Sequence, residues 1–167
     1  MLDSPSISVA TTQTFELTTR QKEVRAVFAT AAKYFLIYGG SRSGKTFLTI
    51  YTILTRMIKA PGSRHVVFRN DGIDAKQSIG NETIPAVIKL AYPTLALKWH
   101  DQDGYYEAPN GSQLWLAGLK DKARLDKVLG KEFCTIYLNE ASQITLEAFS
   151  VVQTRLAQVV TQTNGKR

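Results

Sequence analysis

The sequence predicts an α/β fold, in which helices flank a mostly parallel central sheet on both faces. Short and almost continuously apolar segments alternate with longer segments that have apolar residues at helical spacing, which is typical of a parallel sheet covered by helices. A glycine-rich loop lies between one apolar segment and a long helical segment. An Asn-Gly pair between strand-like segments in the middle of the chain predicts a small antiparallel hairpin insertion.

Composition indicates a soluble globular protein with one main domain. The 167 residues are 44% hydrophobic and 21% charged, which excludes a disordered or fibrous chain, and no apolar run approaches the ~20 residues that cross a bilayer. Residues 1–14 are polar and rich in Ser and Thr, so we expect a flexible segment there and a domain over residues 15–167. The net charge of +7 is compatible with a polyanionic partner and equally with an ordinary basic surface.

The first elements surround the glycine-rich loop. Apolar residues at helical spacing predict a helix over residues 17–32. The apolar run 34–38 ends at two glycines and predicts a strand buried on both faces. After the loop, an apolar stripe predicts a long helix over residues 47–58, which the pair Pro61-Gly62 ends.

The following elements alternate in the same way. Residues 65–68 predict a second buried strand, and a helical pattern over residues 74–92 has a boundary or kink at Pro85. Three short strands, two of them joined by the Asn-Gly turn, are predicted over residues 99–100, 105–108 and 113–116. The remaining elements are a polar helix over 121–129, a third apolar strand over 133–138 and a last helix over 145–160.

The glycine-rich loop matches the complete phosphate-loop pattern G-x-x-x-x-G-K-S/T between a strand and a helix. Its residues, which we expect to bind the phosphates, are Gly39, Gly40, Ser41, Arg42, Ser43, Gly44, Lys45 and Thr46. The glycines let backbone N–H groups face phosphate oxygens, and the helix start adds its positive dipole end. Lys45 would neutralise charge on the β- and γ-phosphates, and the Thr46 hydroxyl would be a Mg²⁺ ligand. The motif therefore predicts a nucleoside triphosphate, ATP, with Mg²⁺ as cofactor and a three-layer P-loop NTPase fold.

A second pair of candidate residues follows the strand predicted over 133–138. Glu140 would be the general base that orients the attacking water. The alternative is a surface glutamate that opens the last helix and interacts with its dipole. Asn139 would lie on the metal side, where aspartate is usual. It keeps an oxygen acceptor but lacks the charge, so we expect weaker Mg²⁺ binding from this side.

These motifs resemble the N-terminal ATPase domain of a tailed-bacteriophage terminase large subunit. The resemblance covers residues 15–160 and is carried by the phosphate loop and by residues 111–144, GSQLWLAGLKDKARLDKVLGKEFCTIYLNEASQI. It implies a RecA/helicase-like fold of the catalytic-glutamate class and an ATPase that powers translocation of double-stranded DNA into a procapsid. Relatives continue with a coupling motif and a nuclease domain, so the resemblance implies a domain incomplete at its C-terminal end and no nuclease activity from these residues.

The resemblance also assigns roles to three residues near the loop. Gln21 resembles an adenine-recognition residue, and Phe15 could stack on the base. The alternative for Gln21 is a capping box with Thr18, since these two residue types at this spacing begin many helices. Arg42 resembles an arginine that acts on the γ-phosphate, and the alternative is an exposed loop arginine.

Partners and location follow from the resemblance as expectations. The expected partners are double-stranded DNA, a portal protein and a small terminase subunit, and the assembled motor is expected to be a homo-oligomeric ring. The expected location is the host cytoplasm at the procapsid portal, without membrane contact. Basic residues between 120 and 131 could contact DNA phosphates, although interleaved acids favour a solvated helix. Two other functions stay open: a nucleotide-binding module without turnover, and a P-loop kinase for a small molecule.

Overall fold

A five-stranded sheet forms the centre of the protein in the computed structural model, which describes residues 15–165 and only the backbone over 122–124. The strand order is β2-β3-β4-β1-β5. The strands are β1 (Arg64–Arg69), β2 (Lys98–His100), β3 (Tyr105–Glu107), β4 (Gln113–Gly118) and β5 (Thr135–Leu138). The predicted flexible segment 1–14 lies outside the described residues.

The sheet combines a parallel part with an antiparallel part. Strand β1 is parallel to both β4 and β5, whereas β2–β3 and β3–β4 are antiparallel pairs. The turn at Asn110 and Gly111 joins β3 to β4, as its sequence predicts, and Gly111 has the left-handed φ of 77° that such turns require. The helix-flanked sheet is confirmed, but its parallel character extends over three strands only, because the hairpin continues the same sheet.

Helices and helical turns cover both faces of this sheet. The regular α-helices are α1 (Thr19–Phe28), α2 (Lys45–Lys59), α3 (Gly72–Asp74), α4 (Ile84–Ala91), α5 (Lys122–Leu129) and α6 (Leu146–Gln153). A π-helical segment, Ala75–Thr83, joins α3 to α4, and a 3₁₀ turn, Ala141–Gln143, follows β5. Among the described residues, we find no helix of the length and apolarity needed to span a membrane.

Two apolar clusters lie on opposite faces of the sheet and make the fold three-layered. The first contains Ile50, Ile53, Leu54 and Met57 of α2 together with residues of β1, β4 and the helical segments after β1. The second contains Val66 and Phe68 of β1, residues of β4, and side chains from the α5 and α6 side. Because successive side chains of a strand point to opposite faces, β1 contributes Val67 to the first cluster and its neighbours to the second.

The region predicted as one helix over 74–92 changes its helical type before Pro85. The π-helical segment ends where Ile84 N–H bonds to Ile79 O, and Pro85 lies in the first turn of α4. Proline has no N–H to donate and is accommodated at a helix start. The predicted boundary at Pro85 is therefore confirmed.

The strand predicted over 34–38 is absent from the structure. These residues belong to no described strand, and Leu36 and Tyr38 are 83% and 87% exposed. A strand needs a neighbour that satisfies its backbone hydrogen bonds, and among the described residues no strand pairs with this segment. The last helix is also shorter than predicted, since α6 ends at Gln153 and turns follow.

Candidate functional site

The phosphate loop, residues 39–46, leads directly into α2, which begins at Lys45. Two of its glycines have left-handed φ values, 147° at Gly39 and 78° at Gly44. Arg42 also has a left-handed φ of 59°, which costs energy for a residue with a Cβ and is commonest at functional sites. Its side chain is exposed. The loop thus has the tight backbone that its sequence predicts.

The Lys45 ammonium lies at the centre of this loop. Its Nζ donates hydrogen bonds to Gly39 O at 2.9 Å, to Gly40 O at 2.6 Å and to Ser43 Oγ at 3.1 Å. An ammonium has three N–H donors, so the loop oxygens can satisfy all of them. A positive charge is therefore held where the loop curves, as a phosphate-binding lysine requires.

The start of α2 meets the end of β5 at Thr46 and Asn139. The Thr46 hydroxyl lies 3.5 Å from Asn139 Oδ1, at the long limit of a hydrogen bond. Asn139 is 7% exposed, and its backbone N–H donates to Phe68 O on β1 at 2.9 Å. The structure therefore brings together the two chain segments that the sequence analysis assigned to one site, although residues 34–38 do not join the sheet.

Tyr137 is a further polar residue at this point and is not among the site residues predicted from the sequence. Its hydroxyl donates to Asn139 Oδ1 at 2.8 Å. Burial raises the pKa of Tyr137, and hydrogen bonds with the Thr46 and Thr49 side chains oppose this shift. Since alternate residues of a strand share a face, the spacing of Tyr137 and Asn139 on the predicted strand could have suggested their contact.

These side chains fit a Mg²⁺ ion by the chemistry of their donors. Thr46 and Asn139 offer a hydroxyl and an amide oxygen, and hard cations such as Mg²⁺ prefer oxygen ligands with phosphates completing the shell. Within residues 15–165 the structure shows no group of three or more His, Cys, Asp or Glu that could hold a metal ion. A metal here would therefore depend on few protein ligands and on bound phosphate.

Glu140 has both carboxylate oxygens engaged. Arg69 Nη2 lies 2.6 Å from Glu140 Oε1, and Gln143 Nε2 donates to Oε2 at 3.2 Å. Glu140 has a left-handed φ of 57° and precedes the 3₁₀ turn. The alternative role at the start of the last helix does not describe its position, because α6 begins at Leu146 with Thr145 as its cap.

Arg69, at the carboxyl end of β1, connects Glu140 to the π-helical segment. Its side chain is 14% exposed, and Nη1 donates to Ser78 Oγ at 2.5 Å and to Asp74 O at 3.4 Å. A guanidinium has five N–H donors in a rigid plane, so these contacts can fix its orientation towards Glu140. Arg69 lies in none of the sequence motifs, so no local pattern marks it as a site residue.

Gln21 forms the capping box and also approaches the phosphate loop. Thr18 N–H donates to Gln21 Oε1 at 3.0 Å, and Gln21 N–H donates to Thr18 Oγ1 at 3.3 Å. Gln21 Nε2 lies 3.0 Å from the position that a Cβ on Gly44 would occupy. The capping alternative is therefore present, and adenine recognition by Gln21 stays a prediction.

Phe15 belongs to an aromatic group on α2. Its ring centroid lies 5.8 Å from that of Phe47 and 5.6 Å from that of Tyr51. Tyr51 in turn stacks on Tyr92 at 5.4 Å, with the Arg25 guanidinium 5.4 Å from its ring centroid. Phe15 thus packs against the helix that follows the phosphate loop, and its stacking on a base stays a prediction, as does the role of Arg42.

The three-layer fold, with a phosphate loop that leads directly into a long helix, defines the class of the protein as a P-loop NTPase fold. A family model described as terminase large subunit, T4likevirus-type, N-terminal, matches residues 36–160. This match covers well over half of the chain, so the chain belongs to the terminase large subunit family through its N-terminal region. A comparison with curated proteins found no match.

Solved structures of phage large terminases share this fold. The large terminase of a thermophilic bacteriophage has a TM-score of 0.73 at 15% identity, over 86% of this chain and 37% of that chain. The same phage enzyme in complex with ATP-gamma-S has a TM-score of 0.66 at 14% identity, over 90% of this chain and 36% of that chain. The large terminase ATPase domain of a Thermus phage has a TM-score of 0.60 at 17% identity, over 85% of this chain and 59% of that chain. The chain thus spans little more than a third of the first of these terminases.

Proposed function

We propose that this chain is the ATP-binding and ATP-hydrolysing part of a viral motor that moves double-stranded DNA into a procapsid, with residues 15–167 as its ATPase domain. The observation that carries the proposal is the meeting of Thr46 and Asn139 at 3.5 Å. This contact joins the phosphate loop to the residues directly after β5, where Glu140 follows Asn139. A triphosphate bound by the loop would then have its terminal phosphate near a carboxylate.

Each part of the site has a role in this proposal. Lys45 and the loop N–H groups would bind the β- and γ-phosphates, which the ATP-gamma-S bound to the thermophilic phage terminase supports. When bound by Thr46 with Asn139 beside it, Mg²⁺ would neutralise phosphate charge. Glu140 would orient and deprotonate the attacking water, and Arg42 would stabilise charge on the γ-phosphate. Gln21 and Phe15 would contact the base.

Family membership supports the wider setting. Terminase large subunits are parts of packaging motors, so we propose that the chain works with double-stranded DNA, a portal protein and a small terminase subunit, as part of a homo-oligomeric ring. Its place of action would be the host cytoplasm, at the portal of the procapsid.

Phosphate release from ATP tests the proposal. Glu140→Gln removes the base and should lower kcat roughly hundredfold or more, with little change in nucleotide affinity. Lys45→Ala should weaken nucleotide binding itself, because the phosphate charge loses its counter-charge. Glu132→Gln, the same substitution at another exposed glutamate, is the matched control and should leave the rate unchanged.

Two observations favour a second candidate, a nucleotide-binding module without turnover. Both oxygens of Glu140 are already engaged, by Arg69 and by Gln143, and Asn139 brings no charge to the metal side. Nucleotide binding that Lys45→Ala abolishes, combined with equal background rates in the wild type and Glu140→Gln, would establish this second function and reject hydrolysis.

A further inference from the structure

The Asn139 side-chain oxygen is the point on which two hydroxyl groups converge. Tyr137 donates to Oδ1 at 2.8 Å, and the Thr46 hydroxyl lies 3.5 Å from the same atom. Asn139 is 7% exposed, so water has little access to compensate for a different orientation of the amide. The orientation of the Asn139 amide therefore depends on whether its oxygen or its NH₂ group faces these hydroxyls.

An asparagine at this position has a requirement that an aspartate does not have. The two oxygens of a carboxylate are equivalent, so either orientation presents an acceptor to the metal side. An amide has one oxygen and one NH₂ group of similar shape. If it turned over, two N–H donors with positive partial charge would face the cation, and binding would be opposed.

Thr46 requires the oxygen orientation once it binds a metal. A hydroxyl that coordinates a cation through its oxygen lone pair keeps only its proton for a neighbouring group. That proton needs an acceptor, which the amide oxygen provides and the amide nitrogen does not. The hydroxyl of Tyr137, donating to the same oxygen, stabilises this one orientation.

Tyr137 is suited to this role by its position in the fold. It lies on β5 opposite Val67 of β1, and its ring packs against the apolar cluster that contains α2. The packed ring restricts where the hydroxyl can lie, and the strand spacing places residues 137 and 139 on one face of β5. The hydroxyl is thus directed at Asn139 by the sheet itself.

We propose that Tyr137 is a positioning residue that orients the Asn139 amide with its oxygen towards Thr46 and the magnesium site. The proposal rests on the proposed function, because it assumes that Thr46 holds Mg²⁺ beside a bound nucleotide. It explains how a neutral residue can serve on the metal side of this site.

A double-mutant cycle tests the proposal through magnesium-dependent nucleotide binding, without using turnover. Affinity for a fluorescent ATP analogue is measured against Mg²⁺ concentration for four proteins: the wild type, Tyr137→Phe, Asn139→Asp and the double variant. In the Asn139 background, Tyr137→Phe should raise the half-saturating Mg²⁺ concentration roughly three- to tenfold, the effect of one lost hydrogen bond. In the Asn139→Asp background the same change should have less than about a twofold effect, because a carboxylate has no wrong orientation.

Two controls separate orientation from a general loss of packing. Tyr106→Phe removes another partly buried hydroxyl, which donates to Gly80 O at 3.1 Å, and should leave the Mg²⁺ dependence unchanged. Thermal unfolding of all variants shows that they are folded. An equal shift in both backgrounds, or none in the Asn139 background, would overturn the proposal.

The outcome for the wild type distinguishes this proposal from the proposed function. Nucleotide binding that depends on Mg²⁺ and is lost in Lys45→Ala supports the site, and the cycle then decides the role of Tyr137 alone. If the wild type binds no nucleotide, or binds it without any Mg²⁺ dependence, the proposed function fails and the role of Tyr137 fails with it.

Discussion

Arg69 contacts Glu140, the candidate base, and other contacts of Arg69 fix the position of its own guanidinium. Its guanidinium is mostly buried and bonds Ser78, whereas the Glu140 side chain is 44% exposed. The more exposed partner would otherwise sample several rotamers. At the scale of single residues, the orientation of Glu140 thus depends on a residue from a different strand.

Replacing Arg69 should therefore affect turnover more than binding. We expect Arg69→Gln to lower kcat for ATP hydrolysis roughly ten- to hundredfold, because small displacements of a catalytic group have effects of this size, and to leave KM nearly unchanged. Arg20→Gln is the matched control, since Arg20 forms an ion pair with Glu23 at the surface. An unchanged kcat would contradict a positioning role of Arg69. A raised kcat would mean that the ion pair restrains Glu140 instead of positioning it.

The end of β4 and the turn after β1 meet with their backbones in close contact. A Cβ on Gly118, at the end of β4, would lie 2.2 Å from Gly72 N and 2.7 Å from Gly72 Cα. Real atoms do not approach so closely, so the absence of a side chain at Gly118 lets β4 pack against the turn after β1. That turn follows Arg69 directly, and its position affects the site.

Adding a methyl group at Gly118 should separate these elements. We expect Gly118→Ala to lower the free energy of unfolding by about 1–3 kcal/mol or more, as overpacking does, measured by urea denaturation. Gly130→Ala is the control, because the nearest atom to its added Cβ would lie at an ordinary 3.6 Å. Equal stability of the two variants would show that the backbone contact relaxes without cost.

A buried polar network joins the far end of the sheet to α2 and affects the stability of the whole molecule. His65 is fully buried, its Nε2 lies 2.9 Å from Ser63 Oγ, and Ser63 donates to Ser112, which bonds carbonyls at the end of α2. Burial, and secondarily the charge of Arg56, lowers the pKa of His65 from 6.5 to about 3. The folded protein therefore keeps this imidazole neutral.

This pKa predicts how stability depends on pH. Below pH 6.5 the unfolded chain takes up a proton at His65 that the folded protein does not accept until about pH 3. The stabilising effect of the neutral imidazole is thus complete above pH 6.5 and is lost as the pH falls, by about 2 kcal/mol between pH 6.5 and 5. Urea denaturation at pH 7.5, 6 and 5 measures the free energy of unfolding, which should fall less with decreasing pH in His65→Gln than in the wild type. An equal dependence on pH in the two proteins would contradict the prediction.

Much of the architecture and the tight backbone of the phosphate loop follow from the sequence alone. Helical periodicity predicted α2 and continuous apolar runs predicted β1 and β5, because these patterns reflect which faces are buried, and the Asn-Gly pair predicted the hairpin of β3 and β4. The phosphate loop and the residues at the end of β5 were recognisable because their backbone and ligand requirements are local. The resemblance carried by the loop and by residues 111–144 indicated the terminase family, which the family match confirms.

Tertiary structure alone decided which distant groups meet. Arg69 is the last residue of β1 and Glu140 follows β5, and only the pairing of β1 with β5 places them in contact. The apolar run 34–38 has the composition of a buried strand, yet no described strand pairs with it, and Leu36 and Tyr38 are exposed. Periodicity records how a segment divides between core and solvent, whereas hydrogen-bond partners depend on strand order, which no local pattern of residues specifies.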